Sequence, residues 1–400
     1  MTLPPLVAPG PALTADQVAR YSRHLLMPAI GEGGQRRLLA ARIAVVGAGG
    51  LGSPSLLYLA AAGVGSITLI DDDVVEESNL QRQVLHSADD IGRAKTDSAV
   101  ERLRALNPDV AVTPVDRRLD PTNAQELLAG HDLVLDGSDS FDTRYAVADA
   151  CDALGLPLVW AAVLRTEAQV TVFWTAAPEG VSAPGLRDLF PVPPAPGSVP
   201  ACGDAGVLGP LVGQIGSMMA TEAIKLITGC GEPLLGRLLF VDVLTATQRE
   251  IPLLPRPDRP RRTPVPSPGD AASPGAAGNG DVETAAPADA ATDVRHVSPA
   301  ELAARLAGDD APFVIDVRDA HELAEGTVAG AVHIPVADLL SDSASTRDIP
   351  SDREVVLVCR AGPRARLAAT ALLARGHERL LVLDGGMLTW PDPVPHEETT

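Results

Sequence analysis

The sequence predicts an α/β protein: a mainly parallel, doubly wound sheet and, after a linker, a second and smaller α/β domain. Three observations predict it. Short β-rich runs alternate with helical patterns from residue 14 to about 252. Residues 253–292 are rich in Pro, Ala, Gly and Ser; such a stretch cannot bury a core and reads as a flexible linker. The alternation resumes over 293–391. Residues 1–13 (MTLPPLVAPGPAL) are Pro-rich and carry no basic segment, so they read as a flexible tail rather than a signal peptide. Residues 392–400 read as a second tail.

The elements follow in order. RIAVVG (42–47) and SITLID (66–71) are strands, with a helix over 51–63 between them. Residues 92–106 are helical and stop at Asn107-Pro108. DLVLD (132–136) is a buried strand, and 143–155 is a helix. PLVWAAV and QVTVFW are strands, 207–229 is a long helix closed by Gly229, and LLFVDV (238–243) is a late strand. In the second domain VVLV (355–358) is a strand that runs into a tight loop and a helix.

Composition narrows the function. A formal net charge of −20 over 400 residues argues against tracking a nucleic-acid backbone or an anionic membrane. No apolar run reaches the roughly 18 residues of a membrane helix. Cys151, Cys202, Cys230 and Cys359 have no paired spacing, which fits the reducing cytoplasm. Lysine occurs only at Lys95 and Lys225.

The turn Gly47-Ala48-Gly49-Gly50-Leu51-Gly52 lies between a strand and a helix, a Rossmann-type arrangement. Its glycines allow backbone amides to approach a phosphate at the helix N-terminus. Asp71 ends the next strand, where an acid can bind a ribose hydroxyl. Alone, the pattern means an adenine nucleotide, and an NAD-dependent oxidoreductase is the first reading. The residues after Asp71 do not suit it. Asn79, Gln81, Arg82, Gln83, Arg93 and Lys95 are polar or basic, whereas nicotinamide needs a flat slot. Several cations suit a triphosphate that releases pyrophosphate; the bland alternative is a solvated helix face.

GAGGLG, LIDDD, SNLQRQ, GRAK and DGSDSFDTR occur in that order, flanked by RYSRHLLMPAIGEGGQRRL and TEAIKLITG. Together they resemble the E1-like activating enzymes, and among these the bacterial enzymes that adenylate sulfur carriers for molybdopterin and thiamine synthesis. The resemblance covers 14–252 and implies ATP and Mg²⁺ as cofactors. It places Gly50 beside the nucleotide with Gly47, Gly49 and Gly52 in the turn. It puts Asp71 on the ribose, Ser78, Asn79, Leu80, Gln81 and Arg82 along the phosphates, and Lys95 on the phosphates. Asp139 would hold Mg²⁺ with Ser140 adjacent, a position where the family usually has Asn. Arg23 would reach the neighbouring subunit's site, because the family works as homodimers. Bacterial members often bind zinc through two C-x-x-C pairs; here the first pair's place reads SAPG (182–185), so no zinc site is expected and the Pro-rich loop 178–200 is expected to be mobile. Cys202 stands where relatives can carry a cysteine for thioester or disulfide chemistry. Cys151 and Cys230 sit in apolar contexts and are expected to be inert.

In VVLVCRAGPRARLAATALL the loop amides and the helix N-terminus would aim positive charge at the Cys359 sulfur, with Arg360 and Arg364 adding to it. Such loops serve phosphate-ester hydrolysis or sulfur transfer. Cys359 to Arg364 is C-x₄-R, shorter than the C-x₅-R of phosphatases, and suits a persulfide. Pro363 offers no N–H. With FVIDVRDAHELAEGTVAGAVHIP (313–335) and LDGGMLTW (383–390), the region resembles a rhodanese domain. Asp316 and Arg318 are expected to brace its fold.

The two resemblances together imply a fused, actinobacterial-type adenylyltransferase and sulfurtransferase. Its partner would be a ubiquitin-like sulfur carrier protein ending in Gly-Gly. The sulfur donor would be thiosulfate or a cysteine desulfurase persulfide. Two other readings stay open: an NAD-dependent oxidoreductase with a regulatory rhodanese module, and a non-catalytic carrier-binding scaffold.

Overall fold

The first domain is built around five parallel strands; the inner ones are short and apolar enough to be largely buried on both faces, and the third is a largely exposed edge strand. They are β1 (Arg42–Val46), β2 (Ser66–Ile70), β3 (Ala111–Val115), β4 (Leu133–Asp136) and β5 (Leu158–Leu164). Three more strands, β6 (Glu167–Phe173), β7 (Arg237–Asp242) and β8 (Thr247–Pro252), extend the sheet in antiparallel fashion. The order is β3-β2-β1-β4-β5-β6-β7-β8. The sheet is therefore mixed: the doubly wound half is parallel, and its continuation is a meander. The computed structural model describes residues 3–194, 206–256, 294–308, 311–340, 349–391 and 394.

Helices α1 (Ala15–Arg20), α2 (Ser22–Leu25) and α3 (Gly31–Ala40) precede the sheet. Within it run α4 (Gly52–Ala61), α5 (Lys95–Leu106), α6 (Ala124–Leu128), α7 (Phe141–Leu154), α8 (Leu186–Leu189) and α9 (Gly209–Thr228). The crossing of α4 and α9 brings α9 to the glycine turn. Gly216 permits it: a Cβ there would lie 2.4 Å from Leu51 O and from Pro54 Cγ. Ser55 Oγ donates to Gly216 O at 2.8 Å and fastens the crossing.

The second domain is a five-stranded, all-parallel sheet ordered β11-β10-β12-β13-β9. Its strands are β9 (Arg295–Val297), β10 (Phe313–Asp316), β11 (Val332–His333), β12 (Val355–Val358) and β13 (Leu380–Leu383). Helices α10 (Pro299–Leu306), α11 (Val336–Leu340) and α12 (Pro363–Leu373) cover it.

The chain divides into two compact units, Met1–Gly10 with Arg37–Glu283, and Pro11–Arg36 with Thr284–Thr400. The sequence assigned 14–252 to one domain; in the structure α1 instead packs on α11 and α12 of the second unit. Buried Val18 and Tyr21 anchor that segment. The expected flexible tail is also different over its described part. Leu3 and Val7 are buried, and Leu6 N donates to Leu226 O at 3.0 Å. Apolar side chains between the prolines supply the burial that a Pro-rich composition conceals. The loop expected to be mobile is packed in its middle, with Ala183 and Leu186 buried, while Val192 is exposed. Residues 195–200 of that loop, most of the linker 253–292 and most of the tail 392–400 lie outside the described residues.

Candidate functional site

A cavity of about 220 Å³ opens at the carboxyl ends of β1, β2 and β4, where open α/β sheets bind ligands. The glycine turn forms its floor. Gly47 has φ +93°, a conformation glycine adopts without strain. A Cβ on Gly52 would lie 1.9 Å from Gly47 O, and one on Gly50 would lie 2.7 Å from Val212 Cγ1. Gly47, Gly49 and Gly50 all line the cavity. Gly49 differs in its surroundings: a Cβ there would meet nothing closer than Gln83 Nε2 at 3.7 Å. Its missing side chain leaves room for a ligand.

Asp71 lies on the cavity wall, but its carboxylate is already engaged. It accepts from Ala48 N at 2.7 Å and from Asp73 N at 2.9 Å. Burial raises its pKa above the ordinary carboxylate value, against the pull of those amides and of Lys95. Lys95 begins α5 and is buried; its Nζ donates to Asp73 Oδ2 at 2.8 Å. Its own amide donates to Asp73 O at 2.9 Å. Asp73 thus joins the acid expected on the ribose to the lysine expected on the phosphates. The buried His86 ring braces the same turn, with Nε2 3.2 Å from Ala48 O and Nδ1 2.9 Å from Ser98 Oγ. Burial holds its pKa below the usual histidine value, which favours the neutral ring this pairing needs.

The predicted phosphate-side segment divides. Arg82 lines the cavity, with Nη1 donating to Ser78 O at 3.1 Å. Ser78, Asn79, Leu80 and Gln81 do not line it. Asn79 is buried and caps a short 3₁₀ turn, accepting from Glu76 N at 3.3 Å, and Ser78 Oγ donates to Glu76 at 3.2 Å. Local hydrogen bonding takes these polar groups back to their own backbone. Arg93 also leaves the site: it is paired with Asp90 at 2.6 Å and Glu101 at 2.9 Å. Gln83, grouped above with the polar and basic residues after Asp71 but given no individual role, lines the cavity, is buried, and has an Oε1 with no partner among the described residues. Arg117, Arg118 and Arg144 line it as well. Their positions depend on how β3 and β4 pair with the strands beside them, which a local motif does not reveal.

Asp139 stands exposed on the cavity wall. Ser140 lines the cavity too and caps α7, its Oγ accepting from Thr143 N at 3.2 Å. The neighbouring Asp136 is fully buried; Ser138 N and Oγ donate to it at 2.9 and 2.6 Å, and burial raises its pKa. Arg23 is exposed on α2, in the second unit, whereas the cavity is built wholly from the first. Cys202 lies outside the described residues. Cys151 is buried, and burial pushes its thiol pKa well up.

In the second unit β12 delivers Cys359 to a loop closed by α12. Its Sγ accepts from Gly362 N at 3.1 Å, and the residue is 1% exposed. Gly362 has φ +108°. Gly386 lets the loop 384–390 approach, since a Cβ there would lie 2.2 Å from Cys359 O. Arg364, expected to add positive charge at the sulfur, interacts electrostatically with Cys359; its guanidinium also forks onto Glu322, at 2.5 and 2.7 Å, and holds that carboxyl down at about 2. Asp316 and Arg318 form a fully buried ion pair, with Arg318 also donating to Glu322 O and Gly326 O. They brace the fold.

Residues 21–261 match the ThiF family and residues 298–392 match the rhodanese-like domain. The chain is 44% identical, over 97% of its length and 96% of the relative's, to a probable adenylyltransferase/sulfurtransferase MoeZ of Mycobacterium tuberculosis. It is 51% identical to a SAMP-activating enzyme E1 of Haloferax volcanii, over 62% of this chain and 90% of that one. It is 38% identical to an adenylyltransferase and sulfurtransferase MOCS3-1 of Zea mays, over 96% and 83%. Among solved structures, E. coli MccB shares the fold at a TM-score of 0.54 and 23% identity, covering 61% of this chain and 72% of that one. Among the described residues, no helix is long and apolar enough to cross a membrane. The glycine-floored cavity and the cysteine loop thus meet in one polypeptide: the chain belongs to the ThiF family and carries a rhodanese-like domain behind its ThiF domain.

Proposed function

We propose that this chain activates a ubiquitin-like sulfur carrier protein in the cytoplasm and then sulfurates it. The terminal glycine carboxylate of a Gly-Gly tail attacks the α-phosphorus of ATP, and pyrophosphate leaves. A persulfide on Cys359 attacks the acyl carbon of the resulting adenylate, and AMP leaves. A thiol, Cys202 or another, then cleaves the acyl disulfide and releases the carrier thiocarboxylate. One observation carries this reading: a single chain holds an adenine-nucleotide cavity lined by Gly49, Arg82 and Lys95, and a cysteine whose sulfur accepts an amide at the mouth of a helix.

Arg82 and Lys95 supply positive charge beside the phosphates, Gly49 opens the floor, and Asp71 takes the ribose. The unpaired Gln83 amide oxygen supports a further contact with the nucleotide. Asp139 fits Mg²⁺: it is a hard oxygen donor on the cavity wall, bound to no cation among the described residues. Bound there with ATP, Mg²⁺ supplies charge neutralisation at the phosphates. Zinc has no part in this reading. The protein works as a homodimer in which Arg23 serves the partner subunit's site. The linker lets the rhodanese-like domain reach the adenylate. Thiosulfate or a cysteine desulfurase supplies the sulfur.

The test is intact mass spectrometry of Gly-Gly-ended carriers incubated with enzyme, ATP, Mg²⁺ and a sulfur donor. Cys359→Ser is expected to keep ATP–pyrophosphate exchange and to lose the oxygen-to-sulfur mass change. Unchanged thiocarboxylate output from Cys359→Ser would leave the rhodanese-like domain a docking role only. Tight NAD binding without ATP turnover would return the oxidoreductase reading.

A further inference from the structure

Three arginines surround the Cys359 loop, and they are not equivalent. Arg364 is forked onto Glu322 at 2.5 and 2.7 Å and also faces Asp319 at 3.5 Å. Arg360 points to Glu325 at 3.4 Å. Arg366, one turn into α12, is exposed and pairs with no carboxylate among the described residues. Its guanidinium lies against the turn that holds the sulfur: Nη1 stands 3.1 Å, and Cζ 3.8 Å, from where a Cβ on Gly362 would be. Gly362 is the residue whose N–H donates to Cys359 Sγ. The next residue, Pro363, has no N–H to add. The loop therefore offers the sulfur one amide, Arg364, which feels the Cys359 charge but is forked onto a carboxylate, Arg360, which faces another, and Arg366, which pairs with no carboxylate among the described residues.

From this arrangement, and resting on the sulfur-transfer reading above, we infer that Arg366 is the specificity-determining cation of the rhodanese-like site, and that it receives the sulfonate end of a small dianionic sulfane donor of the thiosulfate class. The step balances without a further reagent. The Cys359 thiolate attacks the outer sulfur of thiosulfate. The donor's S–S bond breaks, sulfite leaves with that electron pair, and Cys359 keeps the transferred sulfur as a persulfide anion. The dianionic donor leaves as dianionic sulfite. The sulfonate end thus stays anionic from donor to leaving group, and a guanidinium that pairs with no carboxylate among the described residues can donate in a planar fork to two of its oxygens. Arg364 could do this only by giving up its fork onto Glu322, whose buried carboxylate would then keep just the Asp319 amide at 3.0 Å.

The experiment is steady-state thiosulfate:cyanide sulfur transfer by the full chain, for wild type, Arg366→Ala, Arg366→Lys and Cys359→Ser. Arg366→Ala is expected to raise the thiosulfate KM by about tenfold or more, with kcat changed far less and the melting temperature kept. Arg366→Lys is expected to restore most of the KM. Benzenethiosulfonate, a monoanion, is expected to lose less than thiosulfate in the alanine variant. An unchanged KM in Arg366→Ala would overturn the inference, and so would equal losses for the two donors. Wild-type enzyme that ignores thiosulfate yet makes carrier thiocarboxylate from a protein persulfide would also overturn it while leaving the sulfur-transfer reading intact. Absence of both activities would instead remove that reading.

Discussion

Gly49 and Gly52 are three residues apart and answer to different demands. A methyl group on Gly52 would collide with Gly47 O at 1.9 Å, whereas one on Gly49 would meet only a side-chain nitrogen at 3.7 Å. Gly52→Ala is therefore expected to destabilise the protein by about 3 kcal/mol or more, visible in denaturant unfolding. Gly49→Ala should leave the unfolding midpoint nearly in place and lower ATP–pyrophosphate exchange about tenfold or more, because its methyl group occupies space kept for the ligand. Equal loss of stability in both variants would contradict this division. Much of the site was legible at this scale. The glycine turn, Asp71, Arg82, Lys95 and Cys359 are read from short local spacings, and each stands at a cavity wall or in the cysteine loop. Ser78 and Asn79 do not line the cavity, because adjacency in a motif does not fix where a side chain points; their polar groups turn back to Glu76.

At the scale of elements, one helix cap and one ion pair carry measurable consequences. Ser140 starts α7 by accepting from Thr143 N at 3.2 Å, so Ser140→Ala is expected to cost about 1 kcal/mol. An Asn at that position should restore it. In the second unit, Glu322 ties the segment before β11 to α12 through Arg364. Its folded pKa of about 2 lies below the ordinary value of 4.5, so the native state resists protonation more than the unfolded chain does. The stability this pair contributes is fully present above pH 4.5 and is lost as pH falls toward 2. Melting curves of wild type and Glu322→Gln should therefore converge on acidification through that window; a gap independent of pH would contradict the assignment. Two strands of the first sheet escaped the sequence reading for reasons visible in that sheet. Pro114 interrupts the β signal of β3, which tolerates it as an edge strand. β8 forms the other edge and is largely exposed, so it lacks an apolar run.

At the scale of the molecule, the grouping of Pro11–Arg36 with the second unit could not be inferred from composition. It depends on packing of α1 against helices more than 300 residues away in sequence. The same segment carries Arg23, which gives the proposed exchange between subunits a direct test. Arg23→Ala and Lys95→Ala, each inactive alone, should regain up to about a quarter of wild-type exchange when their subunits are mixed and re-associated as dimers. No recovery after verified subunit exchange would place both residues' effects within one chain.

The 1% exposure of Cys359 bears on what becomes of the sulfur between turnovers. An outer sulfur bound there begins its life inside a wall of protein rather than in water. Bulky thiols should reach it less readily than they reach an exposed persulfide, so a loaded enzyme should wait for its acceptor instead of discharging at random. The protein would then act as a reservoir as well as a reagent, and a fraction isolated from cells should weigh one sulfur atom more than its sequence, an excess that cyanide strips away and the serine variant never shows.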